Sequence, residues 1–271
     1  MITAPTVALA SSRTKDLVED LEQVLLAFMQ KHQITHEQYR VATQFLVDTV
    51  KQGEESLLYD VFFEAESTDI GNRKRMGSPE AIEGPFYLAG APQLQEPHVM
   101  PMRDGERGDV LFFTGKVLDV QGKPVVGAEL DLWHADADGL YSNIHPNIPL
   151  WNLRGRFKTD QQGDFEVRTI VPPPYEIPKD GPTGKVLKTL GRHFFRPAHL
   201  HVKVRHPGLA ETTSQIYFLG GQYLDSDVAN AVRDGLVATL ERRDDEKEMR
   251  SRGLDRPYYV VKYEFVLPPE R

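Results

Sequence analysis

Two histidines, His199 and His201, are separated by one residue in the segment 196–204. Leu200 and Val202 alternate with them, which predicts a β-strand with both imidazoles on one face and the apolar side chains on the other. Two imidazoles on one face of a rigid strand provide half of a metal site. On its own the pair is equally compatible with a structural or surface role, so further donors are needed.

Two tyrosines are candidates for those donors. Tyr141 lies in the segment 138–142, and Tyr175 lies in the proline-rich segment 172–178. A tyrosine held between prolines gains little as a core residue, which favours a phenol placed for chemistry. The alternative for each is an aromatic residue at a rim with its hydroxyl hydrogen-bonded, which is the commoner use of a half-buried tyrosine. Taken singly, each tyrosine favours that alternative.

The composition limits the chemistry further. The 271-residue chain contains no cysteine, which excludes disulfides, thiolate metal sites and a cysteine nucleophile. Acidic side chains outnumber basic ones 40 to 32, for a net charge of −8, and this argues against a nucleic-acid partner. Residues 1–10 lack the basic flank of a secretory signal, and no apolar run approaches a membrane span. We therefore expect a soluble, cytoplasmic protein without a membrane partner.

The first quarter of the chain has helical periodicity. Apolar residues recur at spacings of three and four from residue 14 to about 68. A second helix is predicted to begin near Thr35, with Thr35 and Gln38 forming a capping box. The segment 54–64 is apolar on all sides, which predicts burial. Near the other end, the mixed charges of 241–248 predict a solvated helical face.

After Gly71 the hydrophobic period changes from 3.6 to 2. Alternating apolar residues between turn signals predict strands at 110–120, 128–132, 156–159, 165–169, 199–204 and 259–267. Helices followed by strands argue against alternating βαβ units and favour a β-sandwich. We predict a mainly β protein with an N-terminal helical region, 1–75, and a β-sandwich domain, 76–271.

Seven separated segments resemble those of the intradiol ring-cleaving dioxygenases, a family of non-haem ferric enzymes. In chain order they are 82–87, 130–135, 139–142, 174–178, 191–193, 196–201 and 212–216. Several motifs in the family's order are far more specific than any one of them. The resemblance implies that the sandwich is catalytic. It also implies that the helices form a homodimer contact, in which the family often holds a phospholipid.

The resemblance also implies a metal site and its ligands. One Fe(III) per subunit would be bound by Tyr141, Tyr175, His199 and His201. Tyr175 would leave the metal when substrate binds and would take a proton, and Arg196 and Gln215 would stabilise charge on the ring. Independently of the family, phenolates are hard anionic ligands that favour a ferric ion. Two of them and one hydroxide would balance its charge and reduce the penalty of burying it.

By the same resemblance, the reaction is cleavage of an aromatic diol by O₂ between its hydroxylated carbons to give a cis,cis-muconate. The substrate pocket matched by position consists of Leu57, Asp60, Val61, Ile82, Pro85, Phe86, Val228 and Ala229. The segments 56–63, 141–145 and 174–178 look more like the chlorocatechol branch, so chlorocatechols are favoured over catechol.

Three alternatives stay open at this point. Hydroxyquinol could be the preferred substrate of the same chemistry. A non-catalytic, transthyretin-like binding module would share the segment 122–128 and need no metal. A zinc hydrolase could use His199 and His201 but would require a third histidine or a carboxylate.

Overall fold

The protein is described by a computed structural model that covers residues 12–270. Residues 1–10, which we expect to carry no secretory signal, lie outside the described part. The chain divides into two compact units at Lys51 and Gln52. Within residues 12–270, no helix has both the length and the apolar character needed to cross a bilayer.

The first unit contains two helices, α1 (Ser12–His32) and α2 (His36–Lys51). The predicted capping box is confirmed: the backbone N–H of Thr35 donates to Gln38 Oε1 at 2.9 Å, and that of Gln38 donates to Thr35 Oγ1 at 3.3 Å. Large apolar side chains remain exposed on both helices, among them Leu17, Leu21, Val24, Phe28, Val41 and Val50.

The second unit begins with three short helical segments in succession, α3 (Glu55–Tyr59), a π-helical turn (Asp60–Glu64) and α4 (Ala65–Asn72). Leu57 and Val61 are buried, but Tyr59 is 51% exposed and Phe63 62% exposed. The prediction that this whole segment is buried is therefore wrong, because a helix turns successive side chains to opposite sides. The boundary between the two compact units lies before α3. The sequence prediction instead divides the chain at 75/76, where the helical region ends and the strands begin.

Two sheets form the β-sandwich, as predicted. The four-stranded sheet has the order β10 (Leu240–Arg243), β11 (Tyr258–Leu267), β1 (Val110–Asp119), β4 (Asp164–Ile170). The five-stranded sheet has the order β3 (Arg154–Lys158), β2 (Glu129–Trp133), β7 (His199–His206), β8 (Leu209–Phe218), β9 (Val237–Ala238). A short ribbon pairs β5 (Tyr175–Glu176) with β6 (Phe195–Arg196), and the helices α5 (Pro182–Thr189) and α6 (Glu246–Ser251) lie between strands.

The helix predicted over 241–248 is partly wrong. Leu240–Arg243 forms β10 and pairs with β11, so its backbone groups are satisfied in a sheet. The helix α6 begins only at Glu246, after Asp245 has capped it by accepting a 2.9 Å bond from the N–H of Glu248. Pairing with β11, the next strand along the chain, overrides the local helical preference here.

The main core lies between the inner faces of the two sheets. Leu200, Val202 and Val204 of β7 belong to it, as the alternation predicts, together with Phe113 of β1 and Phe265 of β11. Because side chains alternate along a strand, β7 must present its histidines on the opposite face. A one-residue shift of register would exchange the two faces, so the core fixes the direction of both imidazoles.

Candidate active site

His199 and His201 lie side by side on β7, and each is only 2% exposed. Their Nε2 atoms are 2.9 Å apart. Nδ1 of His199 lies 2.7 Å from the carbonyl oxygen of Pro197, to which it donates, so the free lone pair of this ring is on Nε2. Burial, followed by the charge of Arg196, lowers the pKa of His199 to about 3. Burial, followed by the neighbouring imidazole, lowers the pKa of His201 well below its usual value. Both rings are therefore neutral at pH 7 and able to act as ligands.

The two predicted tyrosines face the histidines. The ring centroids of Tyr141 and Tyr175 are 5.4 Å apart, and their planes are nearly perpendicular. The Tyr141 ring lies 6.2 Å from that of His201, and the Tyr175 ring lies 5.6 Å from that of His199. The fold thus brings the four residues from three separate segments of the chain around one point.

These four side chains fit a metal ion. The buried hydroxyl of Tyr141 has no hydrogen-bond partner among the described residues, and an unsatisfied buried polar group costs about 1–3 kcal/mol. Burial raises the pKa of Tyr141 well above its usual value and also raises that of Tyr175, so a nearby cation is needed to hold them as phenolates. No group of three His, Asp or Glu side chains within residues 12–270 could bind a metal by itself. Any ion at this point would therefore need the tyrosines.

The loop that carries Tyr141 is held by several local bonds. Asp136 Oδ1 accepts from the N–H of Asp138 at 2.9 Å and of Leu140 at 3.0 Å. Gly139 adopts φ +80°, and a Cβ there would meet Cβ of Tyr175 at 2.7 Å. The N–H of Tyr141 donates to Nδ1 of His145 at 3.0 Å. A glycine at this position allows the two tyrosine-bearing segments to approach closely.

Tyr175 is positioned by the short ribbon of β5 and β6. It pairs with Arg196 in that ribbon, and the N–H of Ile177 donates to the carbonyl of Phe194 at 2.9 Å. The three prolines before it fix the backbone of the incoming chain. Tyr175 therefore enters the site on the same ribbon that leads into β7.

Arg196 and Gln215 lie next to the histidines in a buried network. Arg196 makes two bonds of 3.1 Å to the carboxylate of Asp227, and its Nη2 donates to Gln215 Oε1 at 2.8 Å. Gln215 Nε2 in turn donates to the carbonyl of Ile82 at 2.7 Å. Asp227 also accepts from the backbone N–H of Ala229 and of Ala231. The network fixes the guanidinium of Arg196 beside His199, whose Nε2 is 3.4 Å from Arg196 Nη1.

A narrow pocket opens beside these donors. Seven of the eight wall residues predicted from the sequence line it, namely Leu57, Asp60, Val61, Ile82, Pro85, Phe86 and Ala229. Val228 does not line the pocket but is buried behind it, packed in one cluster with Leu57, Tyr141 and Tyr175. Tyr175, Arg196 and His201 complete the lining. The pocket thus joins an apolar wall to the donor set.

The pocket also has residues that the sequence interpretation missed. Gly84 and Ile177 line it. Ile177 lies two residues after Tyr175, and this position in an extended segment is the signal that could have found it. Gly84, at φ +71° and facing His201, carries no side-chain signal. Asp227 has no local motif either, because its role depends on a partner 31 positions away.

Two other histidines of this unit, His134 and His193, make hydrogen bonds away from the four donors, as predicted. Nε2 of His134 lies 2.6 Å from Thr169 Oγ1, and its Nδ1 lies 2.8 Å from the carbonyl of Ala135. His193 contacts Ser226 and accepts from the N–H of Phe195. Trp133 packs as predicted, stacked on His201 with centroids 4.7 Å apart.

The chain is similar to known dioxygenases over most of its length. A family model described as a dioxygenase matches residues 82–269. A chlorocatechol 1,2-dioxygenase of Rhodococcus opacus is 37% identical over 96% of this chain and 99% of its own length. The crystal structure of 3-chlorocatechol 1,2-dioxygenase from Rhodococcus opacus 1CP superposes with a TM-score of 0.89 and 39% identity, covering 96% of this chain and 100% of that one. The crystal structure of catechol 1,2-dioxygenase from Pseudomonas arvilla C-1 superposes with a TM-score of 0.87 and 34% sequence identity. That match covers 98% of this chain and 88% of the other. The chain therefore belongs to the intradiol dioxygenase family.

Proposed function

We propose that this protein is an Fe(III)-dependent dioxygenase that cleaves catechol and chlorocatechols between the two hydroxylated carbons to give cis,cis-muconates. The observation that carries the proposal is the convergence of Tyr141, Tyr175, His199 and His201 at the end of an apolar pocket. The reaction adds both atoms of O₂ to the ring, so it needs no external reductant. One iron per subunit satisfies the four donors.

The donor set favours Fe(III) over other ions. Two phenolates are hard anionic ligands, and neutral imidazoles complete a mixed nitrogen and oxygen set. A zinc hydrolase would want a third histidine or a carboxylate in place of two tyrosines. A bound Fe(III) would supply Lewis-acid chemistry, drawing electron density from the catechol ring and making a ring carbon reactive toward O₂.

The residues around the metal would handle protons and charge. Tyr175 would give way to the substrate and accept a hydroxyl proton at its Oη. Arg196 and Gln215, already fixed by Asp227 and by the carbonyl of Ile82, would stabilise negative charge that develops on the ring. The apolar wall would exclude water and hold the flat ring against the donors.

The wall supports catechol and chlorocatechols as substrates. Leu57, Val61, Ile82 and Phe86 offer apolar contact to an arene and to a chlorine substituent. Chlorocatechol turnover is also supported by the relatives from Rhodococcus opacus. Hydroxyquinol is a second candidate, because Asp60 places one carboxylate in the wall that could accept a bond from a third hydroxyl.

Comparing kcat/KM for catechol, 3-chlorocatechol, 4-chlorocatechol and hydroxyquinol tests the substrate. We expect the chlorocatechols and catechol to be cleaved with hydroxyquinol the poorest of the four. A strong preference for hydroxyquinol would overturn the substrate assignment. Formation of no muconate from any of the four would overturn the reaction itself.

We also propose that the protein forms a homodimer through its N-terminal helices, with a phospholipid bound between them. The support is the apolar surface of α1 and α2, where Leu17, Val24 and Val41 are 58–66% exposed. Burying such side chains against a second copy is favourable by about 1.5–3 kcal/mol each at most. Light scattering showing a monomer at micromolar concentration would contradict the dimer, and lipid extraction with mass spectrometry would test the ligand. A cytoplasmic location, tested by cell fractionation, completes the proposal.

A further inference from the structure

A third buried tyrosine lies beside the donor set. Tyr217 of β8 is 0% exposed and pairs with His199 of β7 in the sheet register, with the two ring centroids 5.4 Å apart. Its hydroxyl accepts a 3.0 Å bond from Nη2 of Arg196 and donates to Oε1 of Gln215. The hydroxyl of Tyr141, by contrast, has no partner within residues 12–270. Since the Tyr217 hydroxyl is already satisfied as donor and as acceptor, its role differs from that of a metal ligand.

The hydrogens around this hydroxyl can be assigned from the chemistry of its neighbours. A guanidinium can only donate, and a backbone carbonyl can only accept. The amide of Gln215 must therefore direct Nε2 to the carbonyl of Ile82, at 2.7 Å, and Oε1 to Nη2 of Arg196, at 2.8 Å. Because Arg196 also donates to the Tyr217 hydroxyl, the hydrogen of that hydroxyl is directed to Oε1 of Gln215. Three bonds thus join Arg196, Tyr217 and Gln215 in a closed hydrogen-bond triangle.

The triangle determines which edge of Arg196 faces the pocket. Nε and Nη2 each donate to one carboxylate oxygen of Asp227 at 3.1 Å, and Nη2 also belongs to the triangle. Nη1 lies 3.4 Å from Nε2 of His199, and Arg196 lines the substrate pocket. A guanidinium is a rigid planar fork, so partners that fix Nε and Nη2 also fix the direction of Nη1. Asp227 holds one side of the fork, and the triangle holds its end.

We propose that Tyr217 is a positioning residue whose hydroxyl closes the triangle and so holds Nη1 of Arg196 toward the bound aromatic diol. The inference rests on the proposed function, in which Arg196 and Gln215 stabilise charge on the ring. Without the hydroxyl, the guanidinium and the amide keep a single bond to each other and can tilt. A displaced donor stabilises the developing charge less well. Binding of the diol, which the apolar wall and the metal provide, does not depend on the hydroxyl.

Tyr217→Phe tests this role, because it removes the hydroxyl and keeps the aromatic ring against His199. We expect kcat for catechol to fall about tenfold, while KM stays within about twofold of the wild type. Iron content, the visible tyrosinate-to-iron absorption band and the Kd from an oxygen-free catechol titration should not change. A wild-type kcat would overturn the proposal. Loss of iron or an altered band would overturn it too, because the residue would then act on His199 and not through Arg196.

A double-mutant cycle tests whether Tyr217 acts through the triangle. In a Gln215→Leu background the triangle is already open, so adding Tyr217→Phe should lower kcat by less than about threefold. The urea midpoints of the same four proteins give a second measurement that needs no turnover, and the two changes together should lower the midpoint by less than the sum of their separate effects. Tyr258→Phe is the matched control: Tyr258 is also 0% exposed but packs in a separate cluster with Phe112, so its effect should be the same in both backgrounds. A tenfold loss of kcat in both backgrounds, or additive midpoint shifts, would overturn the proposal.

A rescue variant decides the matter if Tyr217→Phe does not fold. Placing 4-aminophenylalanine at position 217 keeps the aromatic ring and restores an N–H donor toward Gln215. It should keep kcat within about threefold of the wild type, because the triangle is closed again. A tenfold loss of kcat in this variant would overturn the proposal. A wild-type protein with neither iron nor turnover would instead overturn the proposed function, and the urea midpoints would still test the triangle.

Discussion

His199 and His201 come from one strand in the middle of a five-stranded sheet, whereas Tyr141 comes from a loop and Tyr175 from the two-residue strand β5 of a separate ribbon. The histidines are fixed by ladder hydrogen bonds to β2 and β8 and by the core on the other face of β7. The Tyr141 loop depends on individual contacts at Asp136 and Gly139, and Tyr175 is held by the short β5–β6 ribbon. Half of the donor set is thus set by the fold itself, and half by a few replaceable side chains. In the mechanism proposed above, this second half contains Tyr175, the residue that would give way to the substrate.

The largest effect should follow from removing a donor from the loop half. Tyr141→Phe leaves the ring in place but removes the oxygen, so kcat should fall by at least about 100-fold, the size seen when even an outer partner of a metal ligand is lost. Iron content should fall with it, as measured by elemental analysis. Tyr258→Phe is the control, since Tyr258 is equally buried but lies in a separate cluster with Phe112. Retained iron and full turnover in Tyr141→Phe would reject its role.

The next largest effect concerns the two histidines on β7 and the buried Arg196–Asp227 pair beside them. Asp227→Asn leaves Arg196 buried beside His199 without its carboxylate, which should lower the free energy of unfolding by about 3 kcal/mol. Asp164→Asn breaks a half-exposed pair with Lys116 and should cost less than about 1 kcal/mol. Urea denaturation of both variants measures the difference. Equal losses would show that the buried pair does not hold this half of the site together.

Two glycine substitutions, at Gly139 and Gly122, test how closely the Tyr141 loop approaches Tyr175. Gly139→Ala and Gly122→Ala each place a side chain at a positive φ, of +80° and +79°, which costs about 1–2 kcal/mol in both. At Gly122 there is open space, but at Gly139 the new Cβ would lie 2.7 Å from Cβ of Tyr175. Gly139→Ala should therefore lose about 1–3 kcal/mol more and shift the tyrosinate band. Identical thermal unfolding and identical spectra for the two would contradict the close approach of the two loops.

The smallest effect concerns Glu64, in the π-helical turn that also carries the pocket residues Asp60 and Val61. Burial and the charge of Asp60 raise the pKa of Glu64 to about 7, from a usual 4.5. Because its pKa is raised, Glu64 is protonated more readily in the folded state than in the unfolded state. The stability that its protonation contributes is therefore fully present below pH 4.5 and is lost as the pH rises through 7.

Glu64→Gln tests that direction. The glutamine side chain can still accept the 2.9 Å bond from the N–H of Glu83. The melting temperature of the variant should therefore fall less between pH 5 and pH 8 than that of the wild type. Glu66→Gln, at an exposed pair with Arg73, should leave the pH dependence unchanged. A wild-type slope in Glu64→Gln would show that this carboxyl is not perturbed.

The same contrast explains how much the sequence could predict. The strand half was readable from alternation alone, because one face of β7 is apolar and the other carries both histidines. The tyrosines required the family resemblance, since nothing local distinguishes a ligand from a rim aromatic. Asp227 was beyond either approach, because it bonds to Arg196, a partner that only the folded chain brings near.

The errors in the fold have a similar cause. The charged segment 241–248 has a helical pattern, but pairing with β11 converts its first half into a strand. Tyr59 and Phe63 belong to an apolar segment, yet the helix turns them outward while Leu57 and Val61 face the pocket. Tertiary contacts therefore decided the element type at 241–243 and the buried side at 57–63, and the local pattern could predict neither.

Metal analysis of the purified, ring-cleaving protein tests the central claim most directly. We predict about one Fe per chain, a visible tyrosinate absorption that changes when catechol is added without oxygen, and loss of both colour and turnover when the iron is removed. A colourless preparation that is free of iron and still converts catechol to a muconate at full rate would contradict the account.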